Sequence, residues 1–370
     1  MIYLDYAADT PVSETALSAF ASATRQYGAN PNSSHALGLA ARTRLDEATA
    51  HIARMLGAEP DEIVMTSGAT EANNLAILGA ARAYQSRGRH LITTPMEHSS
   101  VTGPMSQLKA EGFELDFVKI LPNGRVNLDH FISLLRPDTI LVSVCAVDSE
   151  IGVIQPVDAV KAAMERFPSC RLHVDATQAV GKLPLALDGA DLVTLSPHKF
   201  YGLTGSGALV VRGGMRLMPI WYGGDSSTPY RSGTPALALT VAAEAALSEA
   251  LSHLEERLSY VTRLNHKLRD ALGGMEHVVL NSPADASPFI LNVSLTGVRA
   301  RDVIGRLSEK GICVSSKSAC CAPVAPSRPV MAMTGDRKRA QETVRISLSH
   351  LTADEEIDQF LEAFSSSSHA

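Results

Sequence analysis

The chain has 370 residues, a mass of 39.3 kDa and a formal net charge of −6, from 33 basic and 39 acidic side chains. At roughly 150 residues per domain, this length predicts one large domain and a smaller partner domain. The acidic balance and an aromatic content of only 5% argue against direct binding of nucleic acid. The one tight basic run, Arg337-Lys338-Arg339, is expected in a solvated turn.

An odd number of sparsely spread cysteines favours a reducing compartment over a disulfide framework. The first ten residues, MIYLDYAADT, lack the basic and apolar regions of a signal peptide. No apolar run approaches the ~20 residues of a membrane helix. We therefore expect a cytoplasmic protein with no membrane partner and no metal site. The five cysteines are Cys145, Cys170 and Cys313, which are expected in the core, and the adjacent pair Cys320 and Cys321.

Helical patterns alternate with short apolar runs through most of the chain, which is typical of an α/β protein with a mostly parallel sheet. In chain order, the patterns predict a helix over 36–57, a strand over 62–66 and a helix over 71–84. Six further strands are predicted at 89–94, 114–119, 139–147, 171–175, 190–195 and 207–211.

A nearly unbroken helical pattern from 235 to 271 follows, and the predicted domain boundary lies within it. Beyond it, a smaller α+β unit is predicted. Its elements are strands at 288–295, 311–316 and 343–348 and a helix at 299–310. Thr352 and Glu355 have the spacing of a capping box at the start of a last helix. We therefore expect a large domain over 15–255 and a small domain over 1–14 and 256–370.

Polar side chains follow three of the predicted strands. Ser67-Gly68-Ala69-Thr70 begins a helix after the strand at 62–66, which makes a ready anion site. Asp175 ends a second strand, and Lys199 comes shortly after a third. Ligands of open α/β sheets bind beyond the carboxyl ends of the strands, so these groups are expected to lie together.

Each of these features alone has an ordinary interpretation, as a helix cap, a turn residue or a surface charge. Their combination offers a helix N-terminus for a phosphate, a carboxylate for a ring nitrogen and an amine for an aldehyde. Together they predict a pyridoxal phosphate site.

Several longer segments resemble one known family. They are NPNSSHALG (30–38), EIVMTSGATEANNLAI (62–77), EHSSV (97–101), LHVDATQAVGKLPL (172–185), SPHKFYGLTGSGAL (196–209), RSGTPA (231–236) and VSSKSAC (314–320). With these segments the chain resembles cysteine desulfurases of the NifS/IscS kind, which are class V aminotransferases. The resemblance extends from residue 3 to residue 358. It implies fold type I of the pyridoxal-phosphate enzymes, with a large domain around a mostly parallel sheet and a smaller α+β C-terminal domain.

The resemblance implies a role for each matching residue. Lys199 matches the lysine that forms a Schiff base with the cofactor, Asp175 the partner of its pyridine nitrogen, and Gln178 the donor to its ring hydroxyl. His98 matches a histidine that stacks on the ring and assists proton transfer. The matches to phosphate ligands are Ala69, Thr70, Ser196, His198 and, from the neighbouring subunit of a homodimer, Thr234.

Asn30 and Arg345 match residues that hold the substrate amino acid, and Cys320 matches the nucleophile on a catalytic loop. The implied reaction converts L-cysteine to L-alanine and leaves a persulfide on Cys320 for an acceptor protein. The acceptor is expected in iron–sulfur cluster assembly, tRNA thiolation or DNA phosphorothioation. Without the resemblance, Cys320 could equally be a small buried hydrophobic residue.

The chain departs from the family pattern at several positions. Ser149 replaces an asparagine that contacts the cofactor ring, and the segment DSSTPY at 225–230 lacks the usual residues. Lys317 replaces a glycine and could lower the pKa of Cys320, bind an anionic partner or simply be exposed. Cys321 replaces a threonine and could relay the sulfur, form a disulfide with its neighbour or have no role.

Three alternatives to a desulfurase stay open. A C–S lyase or selenocysteine lyase would use the same cofactor without a persulfide and would not need Cys320. An aminotransferase would pass the amino group to a keto acid. A degenerate scaffold would only bind partners, although the intact Lys199, Asp175 and His98 argue against it.

Overall fold

The computed structural model describes residues 1–184, 186–224, 228–317 and 325–368. Within these ranges the chain forms twelve β-strands and twelve α-helices. The strands are β1 (Ile2–Tyr3), β2 (Ile63–Thr66), β3 (His90–Thr93), β4 (Glu114–Phe117), β5 (Thr139–Cys145), β6 (Arg171–Asp175), β7 (Leu192–Leu195), β8 (Gly207–Val211), β9 (Val278–Leu280), β10 (Ile290–Leu295), β11 (Ile312–Cys313) and β12 (Thr343–Ser347). The helices are α1 (Glu14–Gln26), α2 (Ala36–Met55), α3 (Ala69–Tyr84), α4 (Ser99–Ala110), α5 (Leu128–Leu134), α6 (Val157–Met164), α7 (Leu237–Ser252), α8 (Leu254–Gly273), α9 (Ala300–Glu309), α10 (Arg328–Thr334), α11 (Arg337–Gln341) and α12 (Asp354–Ser368).

Seven strands form the central sheet in the order β2-β8-β7-β6-β5-β3-β4. Strand β8 is antiparallel to both of its neighbours, and the other pairs are parallel. Every residue of β5, β7 and β8 is buried, as expected for strands covered on both faces. This sheet confirms the predicted α/β class. The carboxyl ends of β2, β5, β6 and β7 meet at one edge, where ligands of such sheets bind.

A second, antiparallel sheet has the order β12-β10-β9. The first residues of the chain lie against this C-terminal part, because β1 pairs with β11 and Asp5 bridges Ser347 of β12. One hydrophobic cluster contains buried residues of both sheets, among them Val174 of β6 and Val293 of β10. The pairing of the N-terminus agrees with the expected content of the small domain, while the domain boundaries themselves stay a prediction.

The nearly unbroken helical pattern from 235 to 271 forms two helices, since His253 separates α7 from α8. The predicted capping box is displaced by one residue. Ala353 precedes α12, and its N–H donates to the Glu356 carboxylate at 3.0 Å, whereas Thr352 Oγ1 accepts from Ser349. No glycine or proline in the sequence marks either the break at His253 or the start of α12.

The basic run at 337–339 is part of α11 and is not a solvated turn. The Asp336 carboxylate caps this helix by accepting from the N–H groups of Lys338 and Arg339. Arg339 then turns inward and donates from Nε to Asn281 Oδ1 at 2.7 Å. In the part of the chain that the structure describes, no helix combines the length and apolar character needed to cross a membrane.

Buried Glu97 ties together the ends of two neighbouring strands. Its Oε1 accepts from the hydroxyl of Thr94, directly after β3, at 2.8 Å and from the N–H of Cys145, the last residue of β5, at 2.9 Å. Burial raises the pKa of Glu97 to about 8 in spite of these hydrogen bonds. Because His98 follows directly, this contact also fixes the start of α4.

Replacing Glu97 with glutamine is expected to reduce the pH dependence of stability between about pH 5 and pH 8. In the parent protein, folded Glu97 retains a proton that the unfolded chain releases at its lower pKa. The free energy of unfolding therefore falls as pH rises through this window. Glutamine keeps the oxygen acceptor for Thr94 and Cys145 but does not titrate.

Urea unfolding at a series of pH values measures this slope. The exposed Glu276→Gln variant is the matched control and is expected to keep the parent slope. An unchanged slope in the Glu97→Gln protein would show that Glu97 is not the group responsible.

Candidate active site

A cavity of about 380 Å³ opens at the carboxyl edge of the central sheet. Its volume lies within the range of small-molecule sites, roughly 300–1,000 Å³. Most of the site residues predicted from the sequence line this cavity. They are Ala69, Thr70, His98, Ser149, Asp175, Gln178, His198, Lys199 and Arg345.

One end of the cavity is suited to an anion. Gly68 precedes α3 and provides no side-chain cap, and the N–H groups in the first turn of a helix have no partner within the helix. Ala69 and Thr70 occupy that turn, where the helix dipole favours negative charge. His198 lies on the same wall, and burial, together with Lys199, lowers its pKa to about 4. At neutral pH His198 is therefore an uncharged hydrogen-bonding group.

Ser196 is fully buried behind this wall. Its hydroxyl lies 3.3 Å from Nδ1 of His198 and donates to the carbonyl of Ser206 at 3.1 Å. Ser196 is not among the described residues that line the cavity. It contacts the site through His198. A direct contact of Ser196 with a phosphate stays a prediction.

The Asp175 carboxylate is held by hydrogen bonds to both oxygens. Oδ1 accepts from the N–H of Thr177 at 3.0 Å, and Oδ2 accepts from Nδ2 of Asn73 at 2.8 Å. Asn73 is fully buried in α3 and also donates to the hydroxyl of Ser100 at 2.8 Å. The carboxylate is thus fixed at the end of β6, at the cavity wall.

The same network reaches His98. Its Nδ1 accepts from the N–H of Ser100 at 3.1 Å and lies 2.8 Å from the Ser100 hydroxyl, so His98 caps α4. Burial, with Lys199 and Arg328, lowers the pKa of His98, while Asp175 opposes the shift. An acceptor at Nδ1 leaves the proton of the neutral ring on Nε2.

The amine of Lys199 follows β7 on a short turn, Pro197–Lys199. Its Nζ donates to the carbonyl of Ala7 at 3.0 Å and to that of Ala8. Gln178 Nε2 donates to the same Ala7 carbonyl at 2.8 Å. The N-terminal segment therefore positions both side chains at the cavity.

Arg345 is the largest fully buried side chain among the described residues, and it lines the cavity. Nη2 donates to Asp5 Oδ1 at 2.7 Å, and Nη1 donates to the carbonyl of Ser149 at 2.9 Å. Nε has no hydrogen-bond partner among the described residues. A fixed guanidinium that lines a cavity suits a carboxylate ligand. Ser149 holds Arg345 through its backbone carbonyl. This contact could not be predicted from the type of side chain at position 149.

Two predicted residues do not line the cavity of their own chain. Asn30 is exposed, and its Oδ1 accepts from the N–H of Asn32 at 2.9 Å. Thr234 is also exposed. Their proposed roles stay predictions. Cys320 and Cys321 lie outside the described residues.

Lys317 is buried, so the interpretation of it as an exposed charge is wrong. Its Nζ donates to the carbonyl of Ala325 at 2.6 Å. These two residues flank the undescribed segment that contains Cys320. This hydrogen bond links the residues on either side of that segment. The sequence alone did not predict it.

Sequence reasoning also missed Asn73, Ser100 and Asp5, which hold Asp175, His98 and Arg345 in place. Asn73 gave one usable signal, since it is a polar residue on the apolar face of α3, beside Leu75 and Ala76 in the core. The sequence contains no such signal for Asp5, because its partner Arg345 is 340 residues away.

Comparison with known proteins places this chain in a family. The aminotransferase class-V model matches residues 2–360. A cysteine desulfurase IscS of Neisseria meningitidis serogroup C is 38% identical over 363 residues, 96% of this chain and 89% of that protein. A solved NifS-like protein shares 33% identity with a TM-score of 0.93 and covers 99% of this chain and 98% of its own.

A structure of SspA in complex with cysteine has 30% identity and a TM-score of 0.82, and covers 94% of this chain and 99% of its own. These matches extend over nearly the whole chain, including every element that lines the cavity. The chain is a member of the class V aminotransferase family.

Proposed function

We propose that this protein is a cysteine desulfurase, which converts L-cysteine to L-alanine and retains the sulfur as a persulfide on Cys320. The observation that carries this proposal is the meeting of Lys199, Asp175, the α3 N-terminus and Arg345 in one cavity. Relatives named cysteine desulfurase IscS match along nearly the full length. The SspA structure in complex with cysteine has the same fold, which supports cysteine as the substrate here.

The donors and acceptors around the cavity fit pyridoxal 5′-phosphate. The uncapped start of α3 with Ala69, Thr70 and His198 would hold its phosphate. Asp175 would hold the protonated ring nitrogen, and the amine of Lys199 would bind the aldehyde carbon. When bound, this cofactor supplies an electron sink for bonds to the substrate Cα.

Arg345 would bind the substrate carboxylate. Arg345 lines the cavity, and its guanidinium is anchored by Asp5 and by the Ser149 carbonyl. A fixed guanidinium loses little entropy on binding and sets the direction of the substrate. This orients the substrate Cα toward Lys199, whose amine would remove and return its proton.

Cys320 would accept the sulfur. In the overall reaction the carbon–sulfur bond of cysteine breaks, a sulfur–sulfur bond forms on Cys320, and a proton replaces sulfur on the substrate carbon. Thiolates are the nucleophiles in such transfers. Cys145 also lines the cavity, but burial, followed by the charges of Glu97 and Asp148, raises the pKa of its thiol well above the usual value. Cys145 is therefore a poor substitute.

We further propose a homodimer, in which Thr234 of one subunit reaches the phosphate in the other. Exposure of Asn30 and Thr234 away from their own cavity supports this arrangement. A sulfur-acceptor protein would then receive the persulfide in the cytoplasm. The free thiols of Cys145, Cys170 and Cys313 suit such a reducing compartment.

The Cys320→Ser variant is expected to bind the cofactor, and to change its absorbance on addition of cysteine, without forming a persulfide. Alanine production should fall by at least about 100-fold, as for loss of a covalent nucleophile. Alanine and sulfide are measured after mixing with cysteine, and mass spectrometry identifies the residue that carries the extra sulfur. Cys313→Ser is the control and should keep parent activity.

Sulfide release at the parent rate from Cys320→Ser would reject the persulfide and favour a C–S lyase. The Cys321→Ala protein tests a relay in the same assay. An unchanged yield and transfer of persulfide would exclude that role for Cys321.

Arg345→Lys is expected to raise the KM for cysteine about tenfold or more, with a smaller effect on kcat. Lysine keeps the charge but cannot form the fork of donors that joins Asp5, Ser149 and the substrate. Steady-state kinetics measure both constants. Arg263→Lys, at an exposed ion pair with Asp354, is the matched control and should behave as the parent. An unchanged KM in Arg345→Lys would remove Arg345 from the substrate site.

A further inference from the structure

A buried lysine, Lys182, lies next to the cavity and has no role in the reaction described above. Lys182 follows β6 by seven residues and is only 5% exposed. Its Nζ donates to Oε1 of Gln178 at 3.0 Å and lies 6.0 Å from the centre of the Phe289 ring. Gln178 lines the cavity, whereas Lys182 is behind it.

Burial of the Lys182 amine costs free energy of folding. Burial, with the nearby charges of Lys199 and Arg345, lowers its pKa to about 7. Among the residues that the structure describes, those two cations are the charged groups that act on its amine, with no carboxylate to offset them. A methionine of similar shape would fill the same space without an amine to desolvate. Packing alone does not account for a lysine here.

The hydrogen bonds of Gln178 give the amine a specific task. The protonated amine of Lys182 donates and cannot accept, so the amide atom that this form contacts must be oxygen. The Ala7 carbonyl only accepts, so the amide atom that contacts it must be nitrogen. The two partners therefore fix the same orientation of the amide from opposite ends. One N–H of Gln178 binds Ala7, and the second is left for the cavity.

Lys199 donates to the same Ala7 carbonyl at 3.0 Å. The amine of Lys182 is thereby connected to that of Lys199 through Gln178 and Ala7. Without Lys182, only the Ala7 carbonyl would define the amide orientation. A rotated amide would then present its oxygen to the cavity, where it would repel another oxygen.

We propose that Lys182 is a positioning residue, which holds the N–H side of the Gln178 amide toward the ring hydroxyl oxygen of bound pyridoxal 5′-phosphate. This inference rests on the proposed function, because it requires that cofactor in the cavity. It adds to that function a residue that touches neither cofactor nor substrate.

The test uses the full-length protein freed of cofactor and titrated with pyridoxal 5′-phosphate. Lys182→Met is expected to bind it roughly tenfold more weakly, as for loss of one well-placed hydrogen bond. The absorption maximum of the bound cofactor should also shift, since the ring hydroxyl loses its donor. Lys161→Met, which removes a half-buried amine remote from the cavity, is the matched control and should match the parent in both readouts.

A double-mutant cycle separates positioning from a structural effect. If Lys182 acts through Gln178, then Lys182→Met should add no further loss of affinity in a Gln178→Leu background. Additive losses would overturn the inference, as would a parent-like affinity and spectrum in Lys182→Met. If Lys182→Met is not recovered folded, Lys182→Gln replaces it. Its side chain is one bond shorter and leaves the contact unmade, so the same losses are expected.

Failure of the proposed function would be detected in the parent protein. A parent protein that takes up no pyridoxal 5′-phosphate, or that forms no alanine from cysteine, would reject that function and this inference together. A parent that does both, beside a Lys182→Met protein indistinguishable from it, would reject the inference alone.

Discussion

The ion pair between Asp5 and the buried Arg345 is the contact on which the geometry of the cavity depends. It fixes the first residues of the chain against β12, and the Ser347 hydroxyl reinforces the contact by accepting from the Ala7 N–H at 2.9 Å. The Ala7 carbonyl is then directed at the cavity. Since Lys199 and Gln178 both donate to this carbonyl, one backbone oxygen sets the position of two side chains from the central sheet. Removal of either partner of such a pair leaves an uncompensated charge in the interior.

Most polar side chains of the site are held by other protein groups before any ligand binds. Asn73 links the Asp175 carboxylate to Ser100, and Ser100 in turn binds His98. Burial keeps His98 and His198 uncharged at neutral pH. Fixed dipoles of this kind stabilise developing charge without having to reorient during a reaction.

The sequence alone predicted the groups that follow parallel strands. Asp175 and Lys199 end or follow β6 and β7, and the carboxyl ends of such strands always meet at one edge of the sheet. It could not predict Asn73 or Ser100 as their supports, because a helix position says little about a partner from another element. The burial of Lys317 was missed for a related reason. Its neighbours are polar, and only the fold brings the Ala325 carbonyl within reach.

Errors in element boundaries have similar causes. The interruption at His253 lacks the glycine or proline that usually marks a helix end. The box at the start of α12 is displaced because Glu356, and not Glu355, turns back to the N-terminus of the helix. In both cases the local sequence was compatible with two boundaries, because helix propensity alone is a weak guide.

The separation of Asp5 and Arg345 has a consequence for biosynthesis. Residues 340 positions apart cannot meet until the ribosome has synthesised and released both of them. The seven-stranded sheet, complete by Val211, can assemble during translation, but the Ala7 carbonyl reaches its place only after β12 has emerged. The site is therefore completed later than the sheet, once Arg345 is able to reach Asp5.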